Sequence, residues 1–159
     1  MAYMLTWTTY GTWVQGDRRG WVRDGRVHRA NPALEDANRR QMKHKPMTLT
    51  KAQRMAASRA IMDEAMKLNQ RMFALVVCNN HVHIVAQNID LPIGQVASHY
   101  KNAVRLTLQR EGFQGRLWTR GFDKRYCMNR EELADKIAYV RNHIKADAEI
   151  RIAQKANSS

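Results

Sequence analysis

The sequence predicts an α+β domain of the ferredoxin-like type, with the order βαββαβα, an antiparallel sheet and helices packed on one face. Two observations support this. Short apolar runs typical of strands are interspersed with longer segments whose apolar residues recur every three or four positions. The chain has 159 residues, of which 44% are hydrophobic, enough for one domain with a buried core. It shows neither a signal peptide nor an apolar run of roughly 18 residues, so a cytoplasmic protein is expected.

The first element is a strand over residues 3–10, YMLTWTTY, which are rich in aromatic and β-branched types. Residues 11–46 then form a long basic insertion loop, and loops of this length are often functional. Arginine can bind phosphates and tryptophan can stack on unpaired bases, so nucleic-acid contacts are expected from Arg18, Arg19 and Trp21. The alternative is a solvated insertion whose tryptophans cover the edge of the core.

A helix follows, from Thr50 to about Asn69. Thr50 and Gln53 have the spacing of a capping box, and apolar residues recur at helical spacing after them. Residues 72–78, MFALVVC, then form a continuous apolar strand. Residues 81–87, HVHIVAQ, form an alternating one, so the two strands are expected to pair as a hairpin.

Asn79 and Asn80 separate these strands and predict a two-residue turn, because asparagine tolerates a positive φ. The turn places His81 and His83 at the start of the second strand. Residues i and i+2 of a strand point to the same face, so the two imidazoles should lie side by side. Such a pair can bind a metal ion, although an isolated His-x-His is more often without one.

Two further helices and one strand complete the predicted fold. Pro92 begins the second helix, and Gly112 is its natural end. A strand is expected over residues 124–128. Asn129 and Glu132 have the spacing of an N-terminal cap for the third helix.

The third helix carries Tyr139 and His143, four residues apart and therefore on one face. If this face reaches His81 and His83, three imidazoles and a phenol meet. Imidazoles can hold a divalent ion that keeps positions open for phosphate oxygens, and a phenol beside it could act as a nucleophile. A lone tyrosine on an amphipathic helix is usually a packing or surface residue, so the prediction depends on this convergence.

The charge balance indicates a polyanionic partner. Lysine and arginine number 27 against 14 aspartate and glutamate, a net charge of +13, which favours nucleic acid over membrane. Before the last strand, Trp118 could stack on an unpaired base while Arg120 binds phosphate. Trp118 could equally close the rim of the core. Cys78 and Cys127 match no zinc-binding pattern and are expected to be reduced, packed thiols.

The segment NNHVHIV resembles the HUH motif of single-tyrosine transposases and their REP-associated relatives. The opening LTWTTYGTWVQGDRRGWV and the later LWTRGF resemble the same family, and the resemblance spans roughly residues 3–145. It implies a catalytic domain over residues 1–145, including the loop 11–46. Residues 146–159 would be a C-terminal helical extension or tail.

By this resemblance, His81 and His83 are metal ligands and Tyr139 is the nucleophile that takes the 5′ phosphate. His143 occupies a position where family members often carry an amide-bearing third ligand, and imidazole there suits manganese and other transition metals. Lys101 matches a lysine recurrent on the family's second helix and is implied to contact phosphate. The implied cofactor is a divalent metal, Mg or Mn.

The residues and the resemblance together predict a metal-dependent single-stranded DNA endonuclease and strand transferase. It would cleave near DNA hairpins through a 5′-phosphotyrosine intermediate, with single-stranded or hairpin DNA as partner, as a monomer or a homodimer. One alternative is a non-catalytic nucleic-acid-binding module derived from a transposase, which would bind DNA in a salt-sensitive way without a covalent adduct. Another is a structural zinc protein, which chelators would unfold.

Overall fold

The computed structural model describes residues 1–12, 21–23, 26–40, 46–143 and 149–152, and for residues 21–27 it describes no side chains. In this part of the chain the strands and helices are β1 (Ala2–Thr8), β2 (Trp21–Arg23), β3 (Arg26–His28), α1 (Pro32–Arg40), α2 (Lys51–Lys67), β4 (Met72–Val77), β5 (His81–Gln87), α3 (Ile93–Arg110), β6 (Asp123–Cys127), α4 (Arg130–Arg141) and β7 (Glu149–Ile152). None of the described helices is long and apolar enough to cross a membrane.

Five strands form one antiparallel sheet in the order β6-β1-β5-β4-β7. Without β7 this is the strand order of a ferredoxin-like sheet, so the predicted α+β class is confirmed. The central strands β1 and β5 pair along their whole length, from Ala2 opposite Gln87 to Thr8 opposite His81. This register sets which β1 side chains stand beside the two histidines.

Helices cover both faces of the sheet. On one face α2 and α3 pack against Tyr3, Leu5 and Trp7 of β1, forming the larger core. On the other face α4 packs Val140 against Met4 and the neighbouring strands. Alternate residues of a strand point to opposite faces, so β1 contributes to both cores.

The prediction that all helices lie on one face is therefore wrong for the last helix. In β5 five consecutive residues are buried, so both sides of the central sheet must be covered. The helix α4 covers the face to which His81 and His83 also belong. This placement brings Tyr139 and the histidine pair to the same side of the sheet.

Part of the expected insertion loop is regular. The strands β2 and β3 form a separate two-stranded sheet, and α1 follows them. Asn31, just before α1, caps this helix because its side chain accepts a hydrogen bond from the Leu34 amide at 3.1 Å. Arg39 donates to Glu35 at 3.1 Å and to the Gly11 carbonyl at 3.0 Å, which ties α1 to the end of β1.

The prediction of continuously irregular chain missed these elements because each strand has three residues and the helix only nine. Elements this short carry little periodicity. Of the expected DNA contacts in this region, Arg18, Arg19 and the side chain of Trp21 lie outside what the structure describes. Trp21 begins β2.

The last described element also differs from expectation. Residues 149–152, expected to extend the last helix or to fray, form β7, which pairs antiparallel with β4 at the edge of the sheet. Ile150 and Ile152 pack against the core beneath α4. Burial of this alternating pair favours a strand over a helical extension.

Candidate active site

The β4–β5 hairpin turn positions the histidine pair. Cys78 donates its amide to the His81 carbonyl at 2.8 Å, which closes the turn at Asn79 and Asn80 as predicted. The positive φ expected of these asparagines is absent, because among the described non-glycine residues only Asn69 has one. Their carbonyls instead accept amide hydrogen bonds from Leu49 at 2.7 Å and from Thr9 at 2.9 Å. The turn is thus anchored to two other segments, which fixes the start of β5.

Three imidazoles converge beside this turn. The ring centroids of His81 and His83 are 4.7 Å apart, those of His81 and His143 5.1 Å, and those of His83 and His143 5.0 Å. The Nε2 atoms of His81 and His143 are 3.0 Å apart. Two nitrogen lone pairs at this separation repel each other unless a proton or another cation lies between them, so the arrangement is suited to a cation.

The separation of these Nε2 atoms also fits a shared metal ion. With zinc–nitrogen bonds of about 2.0–2.1 Å, two ligand nitrogens lie about 2.9 Å apart at a right angle and about 3.3 Å apart in a tetrahedron. The observed 3.0 Å falls in this range. Imidazole donors suit zinc, manganese and other transition metals, whereas Mg²⁺ prefers oxygen ligands in an octahedron. The residues therefore fit a transition-metal dication better than magnesium.

Two neighbouring side chains orient the first two imidazoles. Asn80 Oδ1 lies 2.7 Å from His81 Nδ1, and because a carboxamide oxygen only accepts, Nδ1 carries the proton and leaves the Nε2 lone pair for a metal. Thr6 Oγ1 lies 2.7 Å from His83 Nδ1, and this hydrogen bond fixes the rotation of the ring whichever of the two groups donates. Hydrogen bonds of this kind fix the tautomer and the ring orientation of metal-binding histidines.

Sequence reasoning missed both orienting roles. Asn80 adjoins His81 and could have been proposed from the sequence, but it was assigned only to the turn. Thr6 becomes apparent only from the register, in which it stands directly opposite His83.

His143 reaches the cluster by a different route from the one expected. The helix α4 ends at Arg141, with Asn142 as its C-cap, so His143 is not on the helix. Its amide donates to the Val140 carbonyl at 3.2 Å, which continues the turn past the helix end. The rings of Tyr139 and His143 nevertheless lie 5.5 Å apart, so the expected proximity is retained.

Tyr139 stands at the entrance of the cluster. Its ring centroid is 5.5 Å from that of His83, and its side chain is 49% exposed. It lines a cleft of about 280 Å³ together with His83, Lys136 and Arg125. A phenol here is accessible to a polymeric substrate and adjoins the imidazoles.

The charged side chains of this cleft were not foreseen. Lys136 precedes Tyr139 by three residues, so helical spacing would have been enough to place the two on one side of α4. Arg125 lies on β6 opposite Met4, and this position required the strand pairing. Asp123 also lines the cleft and accepts a hydrogen bond from Arg125 at 3.3 Å. The two cations favour phosphate oxygens beside Tyr139.

The other tyrosines occupy different surroundings. Tyr100 is fully buried, and its hydroxyl donates to Gln70 at 2.6 Å. Burial raises the pKa of Tyr100 above its ordinary value, which opposes phenolate formation. Tyr3 is buried on the same side of the sheet, and its pKa is also raised by burial. Tyr126 is exposed but meets Tyr3 edge to face, away from the histidines. Among these tyrosines, Tyr139 is the one that is both exposed and beside the histidines.

Lys101 and Trp118 have structural partners. Lys101 Nζ donates to the carbonyls of Thr119 at 2.8 Å and Gly121 at 3.0 Å, and burial, followed by nearby Arg116, lowers its pKa. Trp118 is buried and donates its indole N–H to the Lys101 carbonyl at 3.0 Å. This burial favours the interpretation that Trp118 closes the core.

Arg120, between the two carbonyls that Lys101 holds, is exposed. None of the residues Lys101, Trp118 and Arg120 lines the cleft beside Tyr139. The structure therefore brings together His81, His83, Tyr139 and His143, and it places this second group elsewhere.

No protein-family model matches the sequence, and no curated protein matches it. Among solved structures, the chain is similar to a REP-associated tyrosine transposase bound to a REP hairpin, with a TM-score of 0.55 and 13% identity. The match covers 87% of this chain and 63% of that one. A candidate transposase from Deinococcus radiodurans R1 matches with a TM-score of 0.45 and 16% identity, over 89% of both chains. The chain thus shares the fold of a REP-associated tyrosine transposase and spans about 63% of that protein's length.

Proposed function

We propose that this protein is a metal-dependent endonuclease and strand transferase for single-stranded DNA, with Tyr139 as the nucleophile. The observation that carries the proposal is the position of this half-exposed phenol, whose ring lies 5.5 Å from those of both His83 and His143. A tyrosine, the His83 imidazole and two cationic side chains line one cleft, with the other two imidazoles beside His83, and this arrangement suits the transfer of a phosphodiester. The fold, shared with a transposase, is consistent with this activity.

His81, His83 and His143 would hold a divalent transition-metal ion, which when bound polarises and orients the scissile phosphate as a Lewis acid. Asn80 keeps His81 in the tautomer that leaves Nε2 for the metal, and Thr6 holds the His83 ring in its orientation. Because these hydrogen bonds exist before substrate binds, the ligands need little reorganisation.

Tyr139 is proposed to attack the phosphorus of the bound strand. Its phenolic oxygen forms the new P–O bond as its proton passes to solvent, and the bond to the 3′ oxygen breaks. That oxygen takes up a proton, which leaves a 3′-hydroxyl end and a 5′-phosphotyrosine. Attack by another 3′-hydroxyl reverses the step and joins the strands without ATP, which is the chemistry of DNA transposition and recombination.

Lys136 and Arg125 are proposed to bind the non-bridging oxygens of the phosphate. Both line the cleft beside Tyr139, and their charges stabilise the negative charge that accumulates during transfer. Their long side chains reach the cleft from two different elements, α4 and β6. A phosphate bound between them would be held against the tyrosine.

DNA is the proposed partner because of the net charge of +13 and because the similar transposase was solved with a REP hairpin. A short hairpin with an unpaired flank is the proposed substrate. Arg120 is a proposed DNA contact outside the cleft, and Arg18, Arg19 and Trp21 are further proposed DNA contacts. Lys101 and Trp118 are proposed to act indirectly, because Lys101 holds the carbonyls on either side of Arg120.

Labelled single-stranded DNA carrying a short hairpin, incubated with the protein and Mn²⁺ and run on a denaturing gel, tests the proposal. The wild type should leave a covalent protein–DNA adduct, and Tyr139→Phe should leave none. Tyr126→Phe is the matched control, since this tyrosine is equally exposed but lies away from the histidines, and its adduct should persist.

An adduct that survives in Tyr139→Phe would refute the assignment of the nucleophile. Salt-sensitive binding with no adduct under Mn²⁺, Zn²⁺ or Co²⁺ would instead support the non-catalytic binding module.

A further inference from the structure

We propose that the metal centre has a thiolate ligand, Cys78, which joins His81 and His143 in holding a soft divalent cation such as Zn²⁺, Co²⁺ or Fe²⁺. The inference rests on the proposed metal centre and adds to it a ligand and a metal preference. Sequence reasoning assigned Cys78 only a packing role.

The position of the sulfur carries the inference. The ligand atoms of Cys78, His81 and His143 all lie within 4.8 Å of one another, and this is the one such set of histidine, cysteine or carboxylate ligand atoms in the described part of the chain. Ligand atoms around tetrahedral zinc lie roughly 3.3–3.8 Å apart, so side-chain shifts of at most about 1.5 Å would complete the coordination. His83 is not a member of this set, so as a proposed ligand it would have to move closer to the other ligand atoms when a metal binds.

The fold fixes the sulfur there. Cys78 and His81 face each other across the hairpin turn, joined by the hydrogen bond from the Cys78 amide to the His81 carbonyl, so their side chains leave the same face of the sheet. Cys78 is buried in the core beneath α4, together with Val140. The thiol therefore approaches the imidazoles from the protein interior, whereas Tyr139 borders the cleft.

The chemistry of the set favours soft metals. A thiol loses its proton to solvent when its sulfur binds a metal, and the thiolate charge offsets one charge of the dication in a strongly basic protein. No carboxylate belongs to the set, so Cys78 is its one source of negative charge. Thiolate and imidazole together select zinc, cobalt or iron over magnesium, which prefers oxygen.

Absorption spectroscopy of the full chain with added Co²⁺ tests the inference, because a cobalt–thiolate bond gives an intense near-ultraviolet charge-transfer band that imidazoles alone do not. The wild type and Cys127→Ser should show the band, and Cys78→Ser should lose it while the weaker visible bands of bound Co²⁺ remain. Cys127 is the matched control, since it is the other cysteine and is equally buried. In Cys127→Ser the single remaining thiol is Cys78, so the assignment stands even if Cys78→Ser does not fold.

Zinc affinity gives a second readout. Cys78→Ser should weaken Zn²⁺ binding by more than about tenfold, because losing even a residue that only hydrogen-bonds to a ligand costs at least that much. It should weaken Mn²⁺ binding less, because manganese prefers harder ligands than thiolate. The binding of Co²⁺ with visible bands but without the charge-transfer band, in both wild type and Cys127→Ser, would overturn the thiolate ligand and leave the imidazole centre intact.

The absence of any Co²⁺ binding would overturn both the thiolate ligand and the proposed metal centre. A charge-transfer band in a protein that forms no DNA adduct would support the thiolate ligand while refuting the proposed activity. Failure of the inference and failure of the proposed function are therefore distinguishable.

Discussion

The hydrogen bond between Thr6 and His83 provides a sensitive test of the metal centre. Thr6→Val keeps the size and β-branching of the side chain but removes the oxygen that lies 2.7 Å from His83 Nδ1. The imidazole then loses the partner that fixes its rotation. Losing such an outer partner weakens metal binding by about 10- to 100-fold, or roughly 1.4–2.7 kcal/mol at 25 °C.

The measurement is a calorimetric titration of Mn²⁺ or Zn²⁺ into the two proteins at the same pH. Thr8→Val is the matched control, because Thr8 lies on the same strand opposite His81, whose Nδ1 is bonded to Asn80 instead. It should change the metal Kd by less than about twofold, since no orienting hydrogen bond is removed. An unchanged Kd in a folded Thr6→Val protein would refute the role of His83 as an oriented metal ligand.

Two further predictions concern charge and stability. Lys136→Gln should lower the rate of adduct formation. It should also reduce the slope of the logarithm of the DNA-binding constant against log salt by about 0.7, because one phosphate contact to a single strand is lost. Lys124→Gln, on the opposite face of β6, should leave the adduct rate unchanged. An equal loss of adduct in both variants would argue for a general charge effect. Tyr100→Phe leaves the buried Gln70 acceptor unpaired and should destabilise the fold by about 1–3 kcal/mol in urea without preventing adduct formation. Burial raises the pKa of Tyr100 in the folded state above its usual 10.0, so this phenol ionises at a lower pH in the unfolded chain. The free energy of unfolding of the wild type should therefore fall as the pH rises past 10.0. It should fall less steeply in Tyr100→Phe, which lacks this phenol. Equal slopes in the two proteins would contradict this account.

The elements that the sequence predicted are those with long or strongly patterned signals. The capping box at Thr50 is present, with the Gln53 amide donating to Thr50 Oγ1 at 3.2 Å and the Thr50 amide donating to Gln53 Oε1 at 2.9 Å. The helix α3 begins after Pro92 and ends before Gly112, whose φ is +98°. These features depend on residues close together in the chain, so local sequence contains most of the information.

The features that the sequence did not predict depend on contacts between distant segments. The orienting role of Thr6 requires the pairing of β1 with β5, and the place of Arg125 in the cleft requires the pairing of β1 with β6. The strand β7 has only four residues, and its conformation follows from docking on β4. Cys78 carries no local sign of its neighbour His143, which lies far along the chain, after the last helix.

The route of the chain around α4 has a consequence for how subunits could associate. The chain runs from the edge strand β6 into α4 and returns to the sheet as β7, the strand at the opposite edge. The segment that carries Tyr139 is therefore connected to the sheet at both ends. Exchange of this helix between two subunits would require β7 either to separate from β4 or to be exchanged together with the helix. The pairing that would break runs from Val77 opposite Glu149 to Ala74 opposite Ile152. One polypeptide already places the Tyr139 ring beside those of His83 and His143, so no exchange of the helix is needed to bring them together.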